Sequence, residues 1–134
     1  MKHEKKWLLL LPVLVIYLIG MFIDVMEIDA AQYATMSLEM TQTGNYLQLY
    51  SRGQDYIDKP PLIFWTTALS FNVFGPGNFS YKLPSMFFTI LGLFSTYRLG
   101  RMFYGRWAGY FSTLILASCH AWFQFNQDVR TDAI

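Results

Sequence analysis

Long uncharged, apolar stretches interrupt the chain and predict where it crosses a membrane. The first covers residues 7–23, WLLLLPVLVIYLIGMFI, and has no charged side chain in 17 positions. A helix of that length measures about 25 Å, close to the ~30 Å hydrocarbon core of a bilayer. A basic tail precedes it, as in a signal peptide, but no small-residue cleavage site follows. We therefore interpret it as a retained first helix.

Two later stretches predict two more spans. The second is expected over residues 83–99, where Lys82 and Arg98 can extend their charged ends outward to the interfaces. The third is expected over residues 107–127, which are uncharged and have aromatic side chains at both ends. Residues 128–134 would then begin the next external segment.

The segment between the first two spans, residues 24–81, predicts helices of its own. Apolar side chains recur at helical spacing over residues 30–41 and again over 61–74. The second of these stretches is too short to cross a bilayer, so we expect both helices to lie on the membrane surface. The predicted fold is therefore an all-α integral membrane protein with three transmembrane helices and a long external first loop that carries two interfacial helices.

Charge orients this arrangement. With three spans, the N-terminus and the loop at residues 98–106 share one side, which holds six of the ten Lys and Arg residues but one of the nine acids. Basic residues concentrate in short cytoplasmic segments, so the N-terminus is predicted to be cytoplasmic. A fourth span over residues 60–81 would move three arginines outside and fits less well.

Composition supports the bilayer as the surrounding medium and excludes several classes of protein. Hydrophobic residues fill 54% of the 134 positions and charged residues 14%, against about 25% charged in a soluble domain. Such a composition excludes a disordered chain. A net charge of +1 without a basic stripe excludes a nucleic-acid partner. The lone cysteine, Cys119, excludes an internal disulfide or a cysteine-based metal cluster.

Three acidic points and one cation fall on the predicted outer face. Asp29 follows the first span, Asp58 and Lys59 precede the second surface helix, and Asp132 follows the third span. A carboxylate at a membrane boundary suits general-base chemistry, because partial desolvation raises its basicity. Two prolines follow Lys59 and hold it extended, and an ammonium fixed in this way suits a phosphate group.

Each of these residues also has a structural interpretation. Asp29 with Gln32 matches the capping box of a helix N-terminus, and both roles can coexist. Asp58 and Lys59 can form a solvated ion pair, and Asp132 can be one of several interfacial acids.

Three motifs then follow one another along the chain: Asp29-Ala30-Ala31-Gln32-Tyr33, Tyr56-Ile57-Asp58-Lys59-Pro60-Pro61, and Arg130-Thr131-Asp132. Their order resembles the N-terminus of the polyprenyl-phosphate-dependent GT-C glycosyltransferases. That family includes the protein O-mannosyltransferases and the 4-amino-4-deoxy-L-arabinose lipid A transferases, and the likeness is greatest to its bacterial branch.

The resemblance implies a role for each matching residue. Asp29 and Asp132 would be the catalytic carboxylates, with Asp29 helping to deprotonate the acceptor. Lys59 would hold the phosphate of the lipid carrier, and Tyr33 and Tyr56 would line the same pocket.

The resemblance also implies a reaction and a location. A sugar would pass from a polyprenyl-phosphate donor to a lipid or protein acceptor outside the cytoplasm, at the bacterial inner membrane and among its lipids. Asp58 stands where some relatives bind a divalent metal, which is the one cofactor the resemblance suggests. The motif at Asp29 lacks an acid and an arginine that are frequent in the family, so the acceptor stays open.

Two other interpretations compete with an enzyme. One is a non-catalytic membrane scaffold or accessory subunit of the same topology. The other is a transporter fragment, which is disfavoured because no charge lies in the middle of a predicted span. Members of the family are much longer than this chain, so we interpret it as an N-terminal fragment that is inactive alone.

Overall fold

Helices dominate the computed structural model, which describes residues 11–25, 27–51, 54–56 and 58–129. A short antiparallel hairpin pairs Tyr50 with Asp55 and Ser51 with Gln54. The elements within the described residues are α1 (Leu11–Gly20), α2 (Ile28–Thr43), β1 (Tyr50–Ser51), β2 (Gln54–Asp55), α3 (Leu62–Phe74), α4 (Asn78–Tyr104), α5 (Arg106–Ala117) and α6 (His120–Gln127).

Helix α2 is two residues longer at each end than the predicted stretch 30–41. Its N-cap position is Glu27, so Asp29 lies inside the first turn and the capping-box interpretation of Asp29 is wrong. The carboxylate of Asp29 still suits this turn, because the positive end of the helix dipole favours a negative charge. The helix ends at Gly44, which adopts the left-handed φ of 70° and donates its N–H to the Met40 carbonyl.

Helix α3 begins one residue after the predicted start at position 61 and ends where predicted. Its buried face packs against α2, and the apolar core between them also includes Tyr81 and Val129 from later in the chain. We call this cluster the α2–α3 core; its buried members are Ala30, Tyr33, Met36, Met40, Ile63, Phe64, Ala68, Phe71, Tyr81 and Val129.

Helix α4 contains a proline, and α3 compensates for it. Pro84 has no N–H to donate, so the carbonyl four residues earlier, at Ser80, loses its helical partner. The Ser70 hydroxyl of α3 donates to that carbonyl at 2.6 Å. The hydrogen bond that the proline removes is thereby replaced by one that joins α3 to α4.

The structure differs from the predicted loop at residues 98–106. Helix α4 continues to Tyr104, and Gly105 alone separates it from α5. The arginines that suggested a loop lie exposed on the helix surface. Their charges are accessible there, so the helix does not have to end. The two helices then cross closely, since a Cβ on Gly100 would lie 2.7 Å from the Cα of Gly109.

The third predicted span, residues 107–127, is two helices rather than one. Helix α5 ends at Ala117, and α6 begins at His120 after Cys119 adopts an extended conformation, with φ −66° and ψ 120°. The uncharged stretch predicted one long helix here. It could not show where the helix breaks, because the break comes from the backbone conformation at Cys119 and not from a charge.

Helix α1 lies within the first predicted span, whose residues 7–10 are outside the described residues. In the part of the chain that the structure describes, no helix is both long and apolar enough to cross a membrane. The three spans stay predictions.

Candidate active site

An aromatic cluster connects the two motifs that the sequence singled out in the external segment. Phe64 is completely buried. The rings of Tyr33 and Tyr56 both meet its ring edge-on, with centroid distances of 5.6 and 6.2 Å. The side chains of the two tyrosines are also hydrogen-bonded to each other. The structure thus brings together the two tyrosines that the sequence placed in one pocket.

Tyr33 lies four residues after Asp29, one helical turn along the same face of α2. Its burial, its hydrogen bond to Tyr56 and the nearby charges of Tyr56, Asp29 and Glu27 raise the pKa of Tyr33 to about 12. The Tyr33 hydroxyl therefore keeps its proton at neutral pH, and that proton serves the hydrogen bond to Tyr56.

Three of the four charged residues of the predicted site are described, and all three are accessible. Asp29 is exposed in the first turn of α2, and the bend before α3 holds Asp58 exposed and Lys59 half-buried. No hydrogen bond or ion pair joins any of the three to another described residue, so the ion pair considered for Asp58 and Lys59 does not form. These charges are available to a ligand.

Asp132 lies outside the described residues. The described chain before it ends with Val129, which is buried in the α2–α3 core, the cluster that also holds Tyr33. Val129 has a φ of 49°, a conformation that a β-branched residue rarely adopts, so the tertiary packing imposes it. The chain that leads to Asp132 therefore leaves from the same core that carries Tyr33.

Sequence reasoning missed the role of Tyr81. Its hydroxyl donates to the carbonyl of Ala30, next to Asp29, at 2.7 Å, and its side chain is 2% exposed. This bond attaches the first turn of α4 to the first turn of α2. No sequence signal could have identified it, because the two residues are 51 positions apart.

The prediction that Lys82 reaches outward to the membrane interface is wrong. Lys82 is 1% exposed and points into the protein, where its Nζ donates to the carbonyls of Gly20 and Ile23 at 3.0 and 2.9 Å. Burial lowers the pKa of the Lys82 ammonium, and the carboxylates of Asp128 and Asp24 offset part of that shift. The carbonyls at the end of α1 are the acceptors that hold the ammonium there.

Asp58 is not part of a metal-binding group within the described residues. Across residues 11–25, 27–51, 54–56 and 58–129, no three His, Cys, Asp or Glu side chains are placed to hold a metal ion.

Comparison with known proteins gives this arrangement a family. Residues 58–134 match the family described as dolichyl-phosphate-mannose-protein mannosyltransferase. The undecaprenyl phosphate-alpha-4-amino-4-deoxy-L-arabinose arabinosyl transferase 2 of Sodalis glossinidius is 33% identical over 92 residues, which are 68% of this chain and 17% of that protein. The corresponding transferase of Pseudomonas savastanoi is 35% identical over 71 residues, 53% of this chain and 13% of that protein.

Two crystal structures of ArnT from Cupriavidus metallidurans share the fold. The apo structure gives a TM-score of 0.78 at 22% identity and covers 90% of this chain and 22% of that one. The structure bound to undecaprenyl phosphate gives 0.84 at 24% identity and covers 92% and 24%.

The fold is thus that of part of ArnT, a GT-C glycosyltransferase. The chain belongs to the dolichyl-phosphate-mannose-protein mannosyltransferase family and is ArnT-like within it, which confirms the predicted family. It spans less than a quarter of the length of these relatives.

Proposed function

We propose that this chain forms part of a membrane glycosyltransferase that moves a sugar from a polyprenyl-phosphate carrier to an acceptor outside the cytoplasm. Family membership supports the reaction class. The observation that carries the proposal is the contact of Tyr33 and Tyr56 across Phe64, because it joins the segments that bear the candidate carboxylate and the candidate phosphate ligand.

Both candidate charged residues are close in sequence to these two tyrosines. Asp29 is one helical turn before Tyr33, and Lys59 is three residues after Tyr56. Tyr33, Tyr56 and Phe64 form one aromatic platform, and the segments that bear the carboxylate and the ammonium both reach it. Neither charge has an ionic partner in the described chain, which leaves both available to substrates.

The chemistry assigned to these groups is a direct displacement. The acceptor oxygen attacks the anomeric carbon of the sugar, and its proton passes to the Asp29 carboxylate. The bond from the anomeric carbon to the phosphate oxygen breaks, and the lipid phosphate leaves with both electrons. Lys59 stabilises the negative charge that develops on that phosphate, and Tyr33 and Tyr56 line the pocket beside it. Asp132 is proposed as the second functional carboxylate.

The names of the relatives support the donor, and the pattern of apolar and charged residues supports the location. The curated relatives are named for undecaprenyl phosphate-linked 4-amino-4-deoxy-L-arabinose, and we propose a donor of this chemical type. We place the protein in the bacterial inner membrane with a cytoplasmic N-terminus, three spans, and helices α2 and α3 on the outer surface. The acceptor is a lipid A-like glycolipid or a protein.

The test is sugar transfer by the protein at its natural length, reconstituted in lipid. Undecaprenyl phosphate carrying labelled 4-amino-4-deoxy-L-arabinose, or labelled mannose in parallel, is offered with lipid A and with membrane protein as acceptors. Asp29→Asn is expected to lower kcat by about 100-fold or more, because it removes a general base. Glu39→Gln, an acid further along α2, is the matched control and should transfer normally.

Lys59→Ala should both raise the donor KM and lower kcat, because the ammonium contacts the phosphate in the ground state and stabilises its departure. Arg98→Met, which removes an exposed cation from α4, is its control. Normal transfer by Asp29→Asn or Lys59→Ala at wild-type protein level would reject the proposal and favour the scaffold interpretation.

A further inference from the structure

Lys82 is the one charged side chain that the described part of the chain buries. Its ammonium has three N–H groups, and the structure gives each an acceptor. Two are the carbonyls of Gly20 and Ile23, and the third is Oε1 of Gln127 at 3.3 Å. A buried charge is costly unless it is well paired, so this full set of partners makes the site specific for a lysine.

The three acceptors belong to two chain ends. Gly20 closes α1, and its carbonyl accepts the Ile23 N–H at 3.2 Å as well as the Lys82 ammonium. Carbonyls at a helix C-terminus carry partial negative charge. Gln127 is the last residue of α6. Gly20 also touches the Gln127 amide so closely that a methyl group at this position would overlap it. The ends of α1 and α6 therefore meet at the Lys82 ammonium.

Both chain ends lead to a candidate catalytic carboxylate. Asp29 follows Ile23 by six positions, and Asp132 follows Gln127 by five. The first turn of α4 holds the intervening chain at two more points, because Asn78 donates to Asp24 at 2.6 Å and Tyr81 donates to the Ala30 carbonyl. One end of α4 thus fixes the chain on both sides of Asp29 and just before the segment of Asp132.

We propose that Lys82 is a positioning residue for the sugar transfer described above: its ammonium sets the relative placement of the chain segments that carry Asp29 and Asp132. This inference rests on the proposed function. It concerns the carboxylate side of the site, since Lys59 and its bend before α3 make no contact with the Lys82 ammonium among the described residues.

Because Lys82 contacts the segments of the carboxylates and not Lys59, its loss should affect kcat and the donor KM differently. If Lys82 positions the carboxylates while Lys59 holds the donor phosphate, loss of the Lys82 ammonium should slow the chemical step and leave donor binding intact. Lys82→Met in the natural-length protein is expected to lower kcat between about 10- and 100-fold, the effect of an ångström-scale misplacement, with the donor KM within about twofold. Lys82→Arg should recover much of that loss. Arg98→Met, which removes an exposed cation from the same helix, should not change kcat.

A second variant keeps the test decisive if Lys82→Met fails to fold. Gln127→Leu removes the α6 acceptor and retains the ammonium with both α1 carbonyls, so we expect folded protein and a kcat about three- to tenfold lower at normal donor KM. Normal kcat in folded Lys82→Met, or in Gln127→Leu, would overturn the inference. So would a fall in kcat matched by an equal rise in donor KM, which indicates general damage.

The two proposals can fail separately. If Asp29→Asn is inactive while Lys82→Met has normal kcat, the positioning role is wrong and the proposed function stands. If Asp29→Asn transfers sugar normally, the proposed function is wrong whatever Lys82 does.

Discussion

The α2–α3 core is made of apolar and aromatic side chains, whereas the junction of α1, α4 and α6 adds a buried polar network to a small apolar cluster. In the junction, Asn126 donates to the hydroxyls of Ser85 and Thr89 at 3.3 and 2.8 Å, close to the Lys82 and Gln127 pair. The two regions lie on either side of the first turn of α4.

The difference shows how stability and placement are divided in this protein. Apolar burial is non-directional and scales with area, so the α2–α3 core supplies free energy without demanding one orientation. A hydrogen bond requires a distance and an angle, and its net stabilisation is only about 1 kcal/mol. The polar junction therefore fixes geometry more than it stabilises, which agrees with the role proposed for Lys82.

Truncation at the centre of the apolar core should have the largest effect on stability. Phe64→Ala removes a fully buried ring that contacts both Tyr33 and Tyr56, and we expect a loss of about 3–5 kcal/mol in the free energy of unfolding. Thermal or denaturant unfolding of the detergent-solubilised protein measures it.

Leu69→Ala is the matched control for this prediction, because Leu69 lies on the same helix and is 64% exposed. Leu69→Ala should lower the free energy of unfolding by much less than Phe64→Ala does. Equal losses for the two variants would show that α3 is not packed as described.

Removal of the polar network should have a smaller effect, of a different kind. Asn126→Leu abolishes both hydrogen bonds and leaves the hydroxyls of Ser85 and Thr89 buried, so we expect a loss of about 1–3 kcal/mol. Combining it with Ser85→Ala and Thr89→Val removes those hydroxyls and should restore most of the stability, because replacing all partners by apolar groups is nearly neutral. If the triple variant is less stable than Asn126→Leu alone, the network contributes more than this comparison assigns to it.

These two regions also differ in how far the sequence predicts them. Apolar spacing located α2 and α3 to within two residues at each end, because the faces that pack are the faces that repeat. The motifs singled out Tyr33 and Tyr56, but their contact across Phe64 depends on tertiary packing. No regular apolar spacing in the sequence marked the buried face of α4.

The contacts of the polar junction could not be predicted from the sequence, and one physical cause explains this for Lys82 and for Tyr81. A lysine beside an apolar stretch is expected to reach toward water, but Lys82 turns inward and donates to the carbonyls at the end of α1. Those carbonyls belong to residues about 60 positions earlier in the chain. Partners so distant in sequence leave no local pattern, and the same holds for Tyr81 and Ala30.

The smallest expected effect concerns the polar edge of the α2–α3 core and depends on pH. The folded protein raises the pKa of Tyr33 from 10.0 to about 12, so the fold favours the protonated hydroxyl. That contribution to stability is complete below pH 10 and is lost as the pH rises through 12, because the unfolded chain releases the proton first.

Tyr33→Phe removes this titration and should lose less stability between pH 10 and 12 than the unmodified protein does, although it starts about 1 kcal/mol lower without the hydrogen bond to Tyr56. Melting temperatures across that interval measure the slope, with Tyr104→Phe, which removes a hydroxyl from an 83% exposed side chain, as the control expected to follow the unmodified protein. Identical slopes for Tyr33→Phe and the unmodified protein would mean that the Tyr33 hydroxyl is not held in the buried, hydrogen-bonded state on which the aromatic platform depends.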